Sequence, residues 1–362
     1  MSAHGTYENK RTLAYVCKSG LAGGMAGCVA KTVIAPLDRV KILFQTSNPE
    51  FRKYRGSFLG FWRAGKFIYS QQGVWGLFQG HSATLLRIFP YAAVKFVAYE
   101  QFRALLISGP DQEVALRRMA AGSLSGIVSV YCTYPLELIR VRMAYATNEV
   151  GKPHGGRLLA AARSIYAETP SAKATQFFSP RIAAWTNFYR GFTPTIMGMI
   201  PYAGVSFLTH DYIHDLFHTR YFRSWTVKGE IAPKKTYPHL LETNNDDVML
   251  EGHHHEDEDK KVSYKREPLK AWAQLIAGGV AGMVSQTASY PFEVIRRRMQ
   301  VAGAQAGSSG VHPSIVATAL TIYKESGFKG FFVGLTIGYI KVTPMVACSF
   351  FVYERMKHWL GI

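Results

Sequence analysis

At 362 residues, 48% of them apolar and 13% aromatic, the chain has the length of two or three ordinary domains and ample material for burial. Its net charge of +18 and pI near 9.7 require an anionic partner: nucleic acid, a membrane surface or a polyanionic small molecule. Cys17, Cys28, Cys132 and Cys348 form no CxxC pair and lie in apolar segments, which argues against a metal or disulfide role and predicts buried free thiols.

The opening MSAHGTYENKRT has no apolar core behind a basic start and no Arg- and Ser-rich transit character, so no targeting signal is expected. No clean run of 18 apolar residues follows, and hydropathy alone describes a soluble chain. The repeats say otherwise. The first segment, GLAGGMAGCVAKTVIA, runs into APLDRVKILFQ at 35–45, where Pro36 is followed by Asp38 and Lys41. The pattern returns in YPLELIRVRMA at 134–144, with Pro135, Glu137 and Arg140. It returns again in YPFEVIRRRMQ at 290–300, with Pro291, Glu293 and Arg296. Thirteen and nine residues before each proline stand glycines: Gly23 and Gly27, Gly122 and Gly126, Gly278 and Gly282. In a soluble helix each glycine costs about 1 kcal/mol. In lipid the same GxxxG spacing lets helix backbones approach closely, which predicts tight packing on the glycines.

A second set of anchors keeps the register. Gly80, Gly191 and Gly334 precede Pro90, Pro201 and Pro344 by ten residues, and ten residues further stand Glu100, Asp211 and Glu354. Three residues after those acids come Arg103, His214 and Lys357. The chain is therefore three units, 1–110, 111–218 and 269–362, each with two long helical segments; a flexible charged linker, 219–268, separates the last two.

Proline removes one backbone hydrogen bond and bends a helix. Three helices bent at equivalent depth converge, and an acid and base three residues apart share a helix face. Asp38, Glu137 and Glu293 can then bridge to Lys41, Arg140 and Arg296 from unit to unit, as one gate. Gln45 and Gln300, nine residues after their prolines, can brace it; unit two has Ala144 there. Glu100, Arg103, Asp211, His214, Glu354 and Lys357 form the opposite gate, weakened at His214 because a neutral imidazole adds little charge. Arg87, Lys95 and Lys341 lie inside apolar sequence, where a charge is expensive unless it faces a water-filled cavity.

The pattern Pro-x-[Asp/Glu]-x-x-[Lys/Arg], three times over, with an aromatic-basic-glycine stretch such as FYRG at 188–191, resembles the mitochondrial carrier family from about residue 15 to 358. The resemblance implies an all-α membrane protein: six tilted transmembrane helices in three pseudo-symmetric repeats, each with a short matrix helix. It implies a monomeric, multi-pass carrier of the mitochondrial inner membrane working by alternating access. The proline ring becomes the matrix gate and the second ring the cytoplasmic gate. Cardiolipin is implied at helix N-termini beside Gly80, Gly191 and Gly334. Gln72, Gln79, the missing brace and His214 depart from the family pattern. Residues 46–80 hold five Lys/Arg to one acid and 146–190 six to two, against nine to ten in 219–268. That places the basic loops in the matrix and the linker and termini on the intermembrane-space side.

For the cargo, Lys31, Arg87, Lys95, Arg297 and Lys341, with Arg142 nearby, suit several phosphate charges. Gly198 and Met199 stand in unit two where Arg87 and Lys341 stand in the others; the glycine would leave a slot, and methionine suits an aromatic ring. Within the family the likeness is to the coenzyme A carrier group. That implies coenzyme A import, in exchange for an adenine nucleotide; ATP, ADP, AMP or 3′,5′-ADP is the alternative cargo. RRRMQV at 296–301 departs from the RRRMMM of the ADP/ATP carrier. His253, His254 and His255 lie in an acidic linker and receive no metal role, and no cofactor is expected. The insertion 168–187 has no readable purpose. A basic nucleic-acid-binding protein would explain the charge but not the registered prolines. No nucleophile–base constellation or metal-ligand spacing points to an enzyme.

Overall fold

The computed structural model describes residues 13–56, 59–107, 115–147, 157–219, 221–227, 269–306 and 313–361; His253–His255, most of the linker and the N-terminal twelve residues lie outside them. The first repeat forms α1 (Leu13–Gln45), a 3-10 turn (Pro49–Tyr54), α2 (Gly60–Leu77) and α3 (His81–Leu106). The second forms α4 (Ala115–Tyr145), α5 (Arg157–Ala167), α6 (Ala172–Phe177), α7 (Pro180–Thr186) and α8 (Phe192–His218). After α9 (Arg223–Thr226), the third forms α10 (Ala271–Ala306), α11 (Ile315–Ser326), α12 (Leu335–Ile340) and α13 (Val342–Leu360).

Pro36, Pro135 and Pro291 lie within α1, α4 and α10, and Pro90 and Pro201 within α3 and α8. The third repeat differs. Lys341 separates α12 from α13, so Pro344 falls in the first turn of α13, where its missing N–H costs little. The insertion 168–187 holds α6 and α7.

The chain divides into two compact units, residues 1–202 with 286–362, and residues 203–285. In the larger unit α3 packs along α4, and α13 along α1. Below the prolines, Ile42, Val141, Ala144 and Val301 form a buried apolar plug where α1, α4 and α10 meet. Each short helix adds its own cluster: Ile68 of α2 packs with Val40 and Phe44, Ile165 of α5 with Leu138, and Ile322 of α11 with Val294. In the smaller unit, Val227 bridges Leu269 and packs with Ala273 and Phe217, so the first residues of the linker are structured rather than solvated.

Lys18–Gln45 and Phe328–Leu360 are each long and apolar enough to cross a membrane. In α3 charges dilute the signal, yet its Phe96 and Leu105 are 67% and 74% exposed, as Trp359 of α13 is at 79%, which water would not tolerate so widely. This outward apolar surface corrects the burial expected of the thiols. Cys132 is exposed, and Cys28 and Cys348 are half-buried; all three are free.

The glycine expectation also needs correcting. A Cβ on Gly23, Gly27 or Gly122 would meet nothing within 4 Å, and one on Gly126 would touch only the Met199 methyl at 3.4 Å. The tight face lies one residue earlier. Ala22, Ala26 and Ala30 in α1, Ala121, Ser125 and Ser129 in α4, and Ala277, Ala281 and Ser285 in α10 are all buried, at the same three distances before each proline. Small side chains there do the work assigned to GxxxG. We therefore expect Gly23→Ala to leave the thermal midpoint unchanged or raise it, while Ala26→Leu lowers stability by about 1–3 kcal/mol through overpacking.

Candidate functional site

The register that sets an acid two and a base five residues past each proline brings all six side chains together. Asp38 Oδ2 accepts from Arg140 Nη2 at 2.7 Å, Glu293 Oε1 accepts from Lys41 Nζ at 2.8 Å, and Glu137 accepts from Arg296. Each acid takes the base of a different repeat, so the three bridges close into one ring. Asp38, Lys41 and Glu137 are buried, and the apolar plug continues below them. Buried bridges of this kind gain Coulomb energy but lose hydration of both ions, so the intact pair is close to neutral.

Tyrosines unassigned from the sequence extend the ring. Tyr290, just before Pro291, donates to the Val333 carbonyl at 3.0 Å and accepts from Gln45 Nε2 at 3.0 Å; the same amide reaches Glu293 at 3.2 Å. Tyr134, just before Pro135, donates to the Arg190 carbonyl at 2.9 Å and accepts from Gln300 Nε2 at 3.1 Å. The remaining interface, between the first and second repeats, has Ala35 for the tyrosine and Ala144 for the glutamine. Both partners are absent together, so no half-made bond is left. Arg39 takes over, donating Nε to the Ala144 carbonyl and Nη2 to the Ala146 carbonyl, each at 3.4 Å.

Gly80, Gly191 and Gly334 begin the next helices at φ 88°, 81° and 84°, a left-handed conformation that disfavours side chains. A Cβ at Gly80 would stand 2.8 Å from the Arg140 carbonyl, one at Gly191 3.1 Å from the Arg296 carbonyl, and one at Gly334 3.2 Å from the Tyr290 hydroxyl. These glycines seat the helix starts directly on the ring.

The bases read as cargo ligands divide. Arg87 Nη1 bonds Glu137 at 2.8 Å, and Lys341 Nζ bonds Asp38 at 2.8 Å. Arg297 is held in the ring by Glu137 at 3.2 Å and Gln300 at 3.0 Å. Lys31 faces the Met345 sulfur at 3.5 Å, with no carboxylate in bonding reach among the described residues. Lys31, Lys41, Arg87, Arg140, Arg296, Arg297 and Lys341, seven bases, therefore gather around three carboxylates, Asp38, Glu137 and Glu293. Lys95 is exposed and joins none of these pairs. The slot expected at Gly198 is closed, because a Cβ there would stand 3.1 Å from Phe292 Cβ. Close approach of α8 to α10, rather than an opening, explains the glycine. Met199 turns its methyl toward Gly126.

Glu100 and Glu354 are exposed and lie in no ion pair among the described residues, and Lys357 lies over the Tyr353 ring at 5.6 Å. Arg103 and Asp211 are exposed. In the smaller unit His214 stacks on His218, with ring centroids 4.5 Å apart.

Outside the long helices lies Glu168, which no repeated motif marks. It pairs with Arg142 at 2.9 Å and with Arg190, and Arg298 and Glu325 repeat that link at 2.9 Å in the third repeat. Burial lowers the Arg190 pKa, and the Glu168 carboxylate opposes that shift. Arg142 is thus a structural strut, and the insertion begins at its partner.

The profile described as mitochondrial carrier protein matches residues 14–110, 111–221 and 267–362. The chain is 52% identical to the mitochondrial carrier protein LEU5 of Saccharomyces cerevisiae over 99% of its own length and 94% of that protein's. It is 34% identical to the mitochondrial carrier protein CoAc2 of Zea mays, covering 94% and 86% of the two chains. It is 31% identical to the mitochondrial adenine nucleotide transporter ADNT1 of Arabidopsis thaliana, covering 96% and 88%.

Removing one hydroxyl tests the tyrosine links. Tyr290→Phe leaves the Gln45 amide and the Val333 carbonyl each short of a partner, and should lower stability by about 1–3 kcal/mol in thermal unfolding.

Proposed function

The chain belongs to the mitochondrial carrier family, and within that family we propose that its cargo is coenzyme A. Members of the family are inner-membrane solute transporters and not enzymes, so the work of the site is to bind, pass and release a solute. The observation that carries the cargo proposal is the imbalance of seven bases against three carboxylates around the proline ring. Four positive charges in excess at low dielectric need a highly anionic solute. Coenzyme A, with a 3′-phosphate and a 5′-diphosphate, carries about that charge at neutral pH, and guanidinium groups bind phosphate oxygens in pairs.

On this proposal the closed proline ring is the matrix gate, and the exposed Glu100 and Glu354 belong to an open cytoplasmic gate. Cargo enters from the intermembrane-space side, where the termini and linker lie, and draws Arg87 and Lys341 off the ring acids. The intact bridges are close to energetically neutral, so binding free energy of ordinary size suffices to part them. Import in exchange for an adenine nucleotide, a monomeric carrier and cardiolipin at the helix N-termini complete the proposal.

The second reading is an adenine nucleotide alone as cargo. The likeness to ADNT1 favours it, since that relative is named for such nucleotides, while the name CoAc2 points to coenzyme A. Charge does not separate ATP from coenzyme A.

Uptake into cardiolipin-containing liposomes preloaded with ADP separates them. Labelled coenzyme A should enter, and uptake should fall at least tenfold in Arg87→Ala and in Lys341→Ala. Entry of ATP without coenzyme A would leave the carrier intact and overturn the cargo.

A further inference from the structure

The three ring acids are not held alike. Asp38 is gripped by Lys341 and Glu137 by Arg87, and each of these bases stands three residues before the proline of the second long segment of its repeat, Pro344 and Pro90. The same register in the second repeat gives Gly198, backed by Phe292, so no base reaches Glu293 from there. Among the described residues Glu293 bonds only Lys41 and the Gln45 amide. Two of the three acids carry an additional clamp and the third does not.

From this asymmetry, and resting on the phosphate-bearing cargo proposed above, we infer that Arg87 and Lys341 are a pair of latches. In the empty carrier each clamps a ring carboxylate from a different repeat. A cargo frees both at once, and so exchanges fastest, when it presents two separate phosphoryl groups, one to each base. An adenosine phosphorylated on its 3′ and 5′ oxygens has its anionic groups at two positions of the ribose. A nucleoside 5′-diphosphate has the same number of phosphates on a single oxygen, and satisfies one latch at a time. The unlatched Glu293–Lys41 bridge then needs no cargo group of its own, which agrees with the apolar Gly198–Phe292 contact at that place.

A base that merely awaits cargo and a base that latches the ring respond oppositely to removal. The cluster already has excess positive charge, so deleting an idle base relieves repulsion and raises the thermal midpoint of the empty carrier. Deleting a latch leaves a buried carboxylate short of a partner and lowers it.

The test uses the full chain, purified without ligand. Arg87→Gln and Lys341→Gln should each lower the thermal midpoint by roughly 2–4 °C, while Lys95→Gln, outside the cluster, should not. Arg87→Lys, which keeps the charge, should recover most of the loss. Liposome exchange then compares adenosine 3′,5′-bisphosphate with its isomer ADP. The wild type should exchange the bisphosphate at least tenfold faster, and Lys341→Gln should reduce that ratio to about twofold or less. A midpoint that rises or stays level in both glutamine variants overturns the latches, as does equal exchange of the two isomers by the wild type. The midpoint arm needs no cargo. Lowered midpoints with the isomer preference intact, but no coenzyme A uptake, would keep the latches and overturn coenzyme A.

Discussion

Three carboxylates set two residues past three prolines hold α1, α4 and α10 together, and most of the larger unit is arranged around them. The bridges from Asp38 to Arg140, Glu137 to Arg296 and Glu293 to Lys41 each join different repeats, so no repeat closes the ring alone. Helix starts at Gly80, Gly191 and Gly334 pack onto the same level because a glycine in the left-handed conformation lets the backbone reach the ring residues. The plug of Ile42, Val141, Ala144 and Val301 seals the level below. A carrier needs such a closure to be specific in geometry and modest in energy. Buried ion pairs meet both needs, since desolvation offsets much of their attraction while an incorrect pairing is costly.

The ring is threefold in register but not in chemistry. Glu137 meets Arg87, Arg296 and Arg297, Asp38 meets Arg140 and Lys341, and Glu293 meets Lys41. The polar bracing is uneven too, with tyrosine–glutamine pairs at two interfaces and Arg39 on carbonyl oxygens at the third. A symmetric scaffold thus carries an asymmetric set of ligands, as an asymmetric cargo requires.

What could be seen in the sequence was whatever repeats. Prolines, acids, bases and glycines in three registered copies were enough for the all-α repeat architecture, because identical spacing places identical groups at one depth. Features that depend on a partner in another repeat were not visible. Ala144 looked like a missing brace, whereas the structure pairs it with a missing tyrosine at Ala35. The GxxxG glycines marked the correct turns but the wrong face, because the buried small residues are Ala26 and Ser125, one position earlier. Gly198 looked like a slot because Phe292, which fills the space, is 94 positions away in the sequence. Glu168 had no visible role since its partners Arg142 and Arg190 lie outside the repeated motif. Among the described residues hydropathy reached only Lys18–Gln45 and Phe328–Leu360; Arg87, Lys95, Glu100 and Arg103 interrupt α3, and Pro201 with polar Thr and Tyr side chains dilutes α8.

The central claim is that this ring must part for a solute to pass. The most direct test replaces the Lys41–Glu293 bridge by Lys41→Cys and Glu293→Cys in a chain otherwise free of cysteine, and spans the two thiols with a reducible bifunctional reagent. Coenzyme A exchange should be lost on cross-linking and return on reduction. Undiminished exchange through a fully cross-linked carrier would contradict the account.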